Sequence, residues 1–100
     1  MSGPSNRELF YGSHSTEFLY EQIEEYRDEI ADYYSKIETI SGGLDELHGI
    51  MKASKGPDRQ ALYEKIQRWK EIRSSLYDAI QDNKRRIQMV RDEINDYRRR

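Results

Sequence analysis

The sequence predicts an all-α fold: an antiparallel two-helix coiled-coil hairpin that can dimerise into a four-helix bundle. Two apolar stripes and the breaker between them predict it. In the first stripe Leu19, Ile23, Tyr26, Ile30, Tyr33, Ile37, Ile40, Leu44, Leu47 and Met51 recur at alternating spacings of four and three, the mark of a heptad seam with apolar a and d positions. In the second, Leu62, Ile66, Trp69, Arg73, Leu76, Ile80, Asn83, Ile87, Val90, Ile94 and Tyr97 repeat that spacing. Between them Gly56-Pro57 is the strongest breaker in the chain.

Composition favours long solvated helices over a thick core. Of the 100 residues 36% are charged and 35% hydrophobic, and sustained heptads distinguish helices from disorder in such a polar chain. The chain contains no cysteine, so neither a disulfide framework nor a thiolate metal site can form. No apolar run approaches the roughly 20 residues that a membrane helix needs, and no cleavable signal is visible. The chain is therefore expected to be soluble, with an intracellular setting favoured.

Residues 1–14 mix Gly3, Pro4, Asn6, Gly12 and Ser13 without periodicity and are expected to form a flexible arm. Leu9-Phe10-Tyr11 is its apolar cluster, suited to packing on the bundle end or to docking as a short peptide. The hairpin is expected over 15–100, with a first helix at 15–54. Ser13 or Ser15 can cap that helix, and Glu17 follows in the first turn, where the dipole favours negative charge. Gly42-Gly43 weakens the helix by about 1 kcal/mol per glycine, yet the heptad phase runs through the pair, predicting a continuous or bent helix. The turn is placed at 54–58, with Gly56 in a left-handed closing position, Pro57 opening the next helix and Asp58 in its first turn. The second helix is expected at 58–98.

A short turn makes the helices antiparallel neighbours. The layers then pair Met51 with Leu62, Leu47 with Ile66, Leu44 with Trp69, Ile40 with Arg73, Ile37 with Leu76, and so on to Leu19 with Ile94. Each layer joins an a to a d position. At the flanking g positions Glu29 is expected beside Arg86 and Gly43 beside Ile72. At e, Tyr34 meets Tyr77, His48 meets Tyr63, and Arg27 meets Lys84. The last pair is repulsive, and Arg27 can turn to Glu24 on its own helix instead.

Two polar residues occupy the second seam. Arg73 and Asn83 are read as register-setting layers; Arg73 can also carry its guanidinium to solvent past an apolar stem, or bond Glu38 or Asp45 on the facing helix. Four tyrosines, Tyr20, Tyr34, Tyr63 and Tyr77, all fall at e and widen the apolar face beyond a two-helix seam. Together with Ile72 and Trp69 they are the candidate partner-binding residues.

The charge is lopsided. From Ser15 to Lys52 there are ten acidic residues against three basic ones; from Arg59 to Arg100 there are twelve basic against seven acidic. Lys84, Arg85, Arg86, Arg98, Arg99 and Arg100 form a candidate basic patch. Acidic residues are interspersed, so base readout is not expected, and attachment to nucleic acid or an anionic membrane would be loose and salt-sensitive.

The sequence offers no catalytic motif. It has no phosphate loop, no nucleophile-histidine set and no strand to wall a pocket. Asp45 and His48 have a helix-chelate spacing, but a bundle metal site needs a second such motif, so no catalytic residue, metal or cofactor is expected. The expectation is a non-enzymatic interaction module whose partner is a protein, either a second copy or a partner helix, with no small-molecule substrate.

Phe18-Leu19-Tyr20-Glu21-Gln22-Ile23-Glu24-Glu25-Tyr26-Arg27, followed by Ile30, with the turn Ile50-Met51-Lys52-Ala53-Ser54 and Pro57-Asp58, resembles the first two N-terminal regulatory helices of syntaxin-type SNARE proteins. The resemblance covers Phe18 to Ile94. It implies a fragment with a regulatory surface in membrane fusion, whose apolar face awaits a third helix. That third helix, the SNARE motif and the membrane anchor of the family have no counterpart here. Secreted self-assembling helical hairpins share the size, but their Trp-x-Gly turn is missing.

Overall fold

A computed structural model describes the backbone of residues 3–99 and the side chains of residues 16–99. The described residues form two helices and no strand: α1, Gly3–Ala53, and α2, Pro57–Arg99. α1 thus begins upstream of the boundary expected at Ser15, so the backbone is helical over most of the expected arm. Pro4 lies in its first turn, where a missing N–H costs no helical bond. Ser13 and Ser15 fall inside the helix rather than at its start. The side chains of Leu9, Phe10 and Tyr11 lie outside the described residues.

α1 runs through Gly42-Gly43 without interruption, as the unbroken heptad phase required. It ends where Ser54 takes over two orphan carbonyls: its N–H donates to the Met51 carbonyl at 3.1 Å and its Oγ to the Ile50 carbonyl at 2.9 Å. Gly56 has the expected left-handed backbone, with φ 64°, but a different role. Its carbonyl accepts from the Gln60 N–H at 3.2 Å, so Gly56 opens α2 rather than closing α1. Pro57 and Asp58 then occupy the first turn of α2, and Arg98 and Arg99 its last, both favourable to the helix dipole.

The helices contribute to two compact units, Met1–Glu29 with Asp82–Arg100, and Ile30–Gln81. In each, a segment of α1 packs on a segment of α2, as in a helical hairpin. The second unit is built on Leu44, Leu47 and Ile66, surrounded by Ile40, Met51, Leu62 and Trp69. Ile37 and Ile80 are also buried there. The first unit buries Leu19, Ile23, Ile87, Val90 and Ile94. Seam positions of both stripes are buried or half-buried up to Ile94; Tyr97, the last of the second stripe, is exposed.

Gly43 is packed for a reason visible in the second unit. A methyl group built on it would meet the Trp69 ring, at 3.0 Å from Cη2 and 3.3 Å from Cε3, with Cζ3 nearer still. Bare glycine backbone therefore lets the indole lie on α1. Gly43 is expected beside Ile72 and near Trp69, and it is the Trp69 ring that lies on its bare backbone. Gly42, by contrast, would meet nothing within 4 Å.

Candidate interaction surface

The two polar seam residues are tied to the opposite helix. Asn83 is 1% exposed, a burial that requires its amide to be satisfied. Its Nδ2 donates to Glu29 Oε1 at 2.8 Å and to the Tyr26 carbonyl at 3.3 Å, while its Oδ1 accepts from Arg86 NH1 at 2.8 Å. The expected Glu29–Arg86 attraction is therefore relayed through an amide bonded to both. Arg73 is half-buried and donates from NH1 to Ser41 Oγ at 3.2 Å. It does not take Glu38 or Asp45, because Ser41 brings a hydroxyl to the helix interface while Glu38 and Asp45 lie on exposed positions.

The tyrosines at e stay in solvent. In the second unit Tyr34, Tyr63 and Tyr77 are 45%, 51% and 46% exposed, too open for rings whose apolar faces favour contact. Ile72 is 52% exposed and borders a shallow groove of about 310 Å³ with Ile40, Leu76, Thr39 and Lys36. Trp69 differs from the other candidates: it packs into the core cluster on Gly43, with Lys65 Nζ 5.7 Å from its ring centroid, close enough for a cation–π contact. It is chiefly a packing residue.

In the first unit Tyr20 is exposed, and its hydroxyl accepts from Arg98 NH2 at 2.6 Å. Arg27 turns to Glu24 at 3.3 Å, as its conflict with Lys84 suggested. Several members of the basic patch are engaged locally: Arg85 pairs with Asp82 at 2.8 Å, Arg86 bonds Asn83 and Arg98 bonds Tyr20. Lys84 and Arg99 are exposed; Arg100 lies outside the described residues. Three members of the patch thus make contacts within the chain.

A feature that single heptad positions did not announce is a cleft of about 350 Å³ in the first unit, lined by Arg27, Arg91 and Arg98 over Ile23 and Ile94. Its signal was present in the sequence as Arg91 and Arg98 at successive e positions of α2 and Arg27 at an e position of α1. Their convergence on one cleft depends on the helix pairing.

Among the described residues no group of three or more His, Asp or Glu side chains is placed to hold a metal ion, and no helix is long and apolar enough to cross a membrane. Compared with known proteins, the chain matches no family model, no curated protein and no solved structure.

Proposed function

We propose that the chain is an antiparallel coiled-coil hairpin acting as a non-enzymatic assembly module, and that it self-associates through the tyrosine-bearing e side into a four-helix bundle. The observation that carries this reading is the trio Tyr34, Tyr63 and Tyr77, each left about half exposed on one unit. Antiparallel pairing is supported by contacts in which residues later in α2 meet residues earlier in α1. In the second unit Trp69 meets Gly43 and Arg73 meets Ser41; in the first, Asn83 meets Glu29 and Arg98 meets Tyr20. The core cluster also holds both members of the layers Met51–Leu62, Leu47–Ile66 and Leu44–Trp69.

A second copy is the occupant this reading favours, because it brings the same rings to the same side. The e positions of both helices hold no acidic residue, so burial of the tyrosine rings and not charge drives the contact. Attachment to nucleic acid or anionic membrane through the basic end has less support, because acidic residues are interspersed there: Asp82 pairs with Arg85, and Asp92, Glu93 and Asp96 lie between Arg91 and Arg98.

The test is molar mass by light scattering after size exclusion, over a range of concentrations. The reading expects a dimer, and a Tyr34→Ser/Tyr63→Ser/Tyr77→Ser variant that is helical and monomeric. A monomer at all concentrations counts against it, as does a variant that stays dimeric. A monomer that gains mass only with a partner helix would replace the second copy by that helix.

A further inference from the structure

The e positions of this chain carry an unusual charge choice. From Tyr20 to Arg98 they are Tyr20, Arg27, Tyr34, Ser41 and His48 on α1, and Tyr63, Lys70, Tyr77, Lys84, Arg91 and Arg98 on α2. No acidic residue is among them, although the chain has 19 Asp and Glu. Coiled coils ordinarily set opposite charges across such flanks, and a carboxylate at position 27 or 84 would turn the repulsive Arg27–Lys84 pair into an attractive one. Hairpin stability therefore does not account for the pattern.

In the first unit the pattern becomes a site. Arg27, Arg91 and Arg98 line one cleft whose floor is Ile23 and Ile94, two buried residues. The one carboxylate in its lining, Glu24, is taken by Arg27 at 3.3 Å. Three guanidiniums against one carboxylate leave an excess of two positive charges. Arg98 already holds the Tyr20 hydroxyl oxygen at 2.6 Å, which leaves the hydroxyl proton to be donated elsewhere.

We propose that this cleft binds a phosphate monoester, its dianion held by the Arg91 and Arg98 guanidiniums and the Tyr20 hydroxyl, with the apolar part of its carrier on Ile23 and Ile94. Guanidinium forks match phosphoryl oxygens in geometry, and an excess of two charges matches a monoester dianion. A mixed polar and apolar cleft of this volume is in the range of small-ligand sites. The carrier can be a soluble ester or the headgroup of an anionic lipid. This inference goes beyond the assembly reading: the cleft residues also fall at e positions but belong to the first unit, whereas Tyr34, Tyr63 and Tyr77 belong to the second.

The experiment titrates the full chain at low salt with phenyl phosphate, with inorganic phosphate, and with phosphatidylcholine vesicles with and without phosphatidic acid. Phenyl phosphate is expected to bind more tightly than inorganic phosphate, because the ring covers the floor. Arg91→Gln and Arg98→Gln are each expected to weaken it by about tenfold, with helicity and molar mass unchanged. Binding confined to phosphatidic acid vesicles and lost in both variants would assign the lipid source and support the site. Absence of binding to every phosphate probe would overturn the proposal, and so would binding that survives both substitutions. Tyr34→Ser/Tyr63→Ser/Tyr77→Ser should bind phenyl phosphate normally, so failure of assembly and failure of the cleft are read separately.

Discussion

Replacing either neighbouring glycine of α1 by alanine changes the same atom in two different surroundings. Gly42→Ala adds a methyl group to open space, so only helix propensity acts, a gain of about 1 kcal/mol. Gly43→Ala has that gain too, but its methyl lands inside contact distance of the Trp69 ring. The indole has to leave its place on α1, an overpacking cost of about 1–3 kcal/mol. Gly43→Ala is therefore expected to fall between neutral and about 2 kcal/mol destabilising. Propensity cancels in the difference between the two variants, which isolates the packing term. Urea unfolding at fixed protein concentration, followed by helical circular dichroism, measures it. Fluorescence reports the cause directly, because Trp69 is the one tryptophan and its emission should shift in Gly43→Ala but not in Gly42→Ala. A second cycle with Trp69→Leu should erase the penalty. Equal stabilisation by both alanines, with unchanged emission, would refute the packing of indole on bare backbone.

Substitutions at three other positions test separate joints of the fold. Gly56→Ala places a side chain at φ 64° and should cost about 1–2 kcal/mol, with Gly56→Asn costing less; both are read from thermal unfolding. Asn83→Ala removes a buried amide that bonds Glu29, Arg86 and the Tyr26 carbonyl and should cost about 1–3 kcal/mol, while Asn83→Leu should restore stability but broaden the mass distribution, because the polar layer no longer selects one pairing. Ser41→Ala takes the partner from Arg73 and should cost no more than about 1.5 kcal/mol, since Arg73 is only half-buried and can turn its guanidinium to water; a larger loss in unfolding free energy would show that the bond is a structural tie.

The apolar seams were the legible part of the fold. Burial follows heptad phase because a and d positions face the partner helix wherever the period holds, so Leu47, Ile66, Val90 and Ile94 could be placed inside from spacing alone. The turn was legible for a similar reason: Gly56 and Pro57 have few backbone options. Details that depend on side-chain reach were not. Arg73 could be placed at the interface, but the choice of Ser41 over a carboxylate depends on where a flexible guanidinium ends. Asn83 was recognisable as a polar layer, whereas its link between Glu29 and Arg86 needs the local stagger of the helices. The backbone is helical from Gly3, upstream of Ser15, because the glycines and serines between Pro4 and Ser15 lower helix propensity without removing a backbone N–H. The arginine cleft was hidden for a further reason: Arg27 was weighed only against its nearest expected neighbour, Lys84, while long side chains from Arg91 and Arg98 share the same space.

The account rests on α1 and α2 pairing head to tail in one register, and the absence of native cysteine makes that directly measurable by cross-linking. A disulfide forms only when two Cα atoms come within about 7 Å. Ile37→Cys/Leu76→Cys should oxidise to an intramolecular bond, seen as faster migration on a non-reducing gel, while Ile37→Cys/Ile66→Cys should not. An unlinked first pair, or a first pair linked only between two chains, would contradict the hairpin.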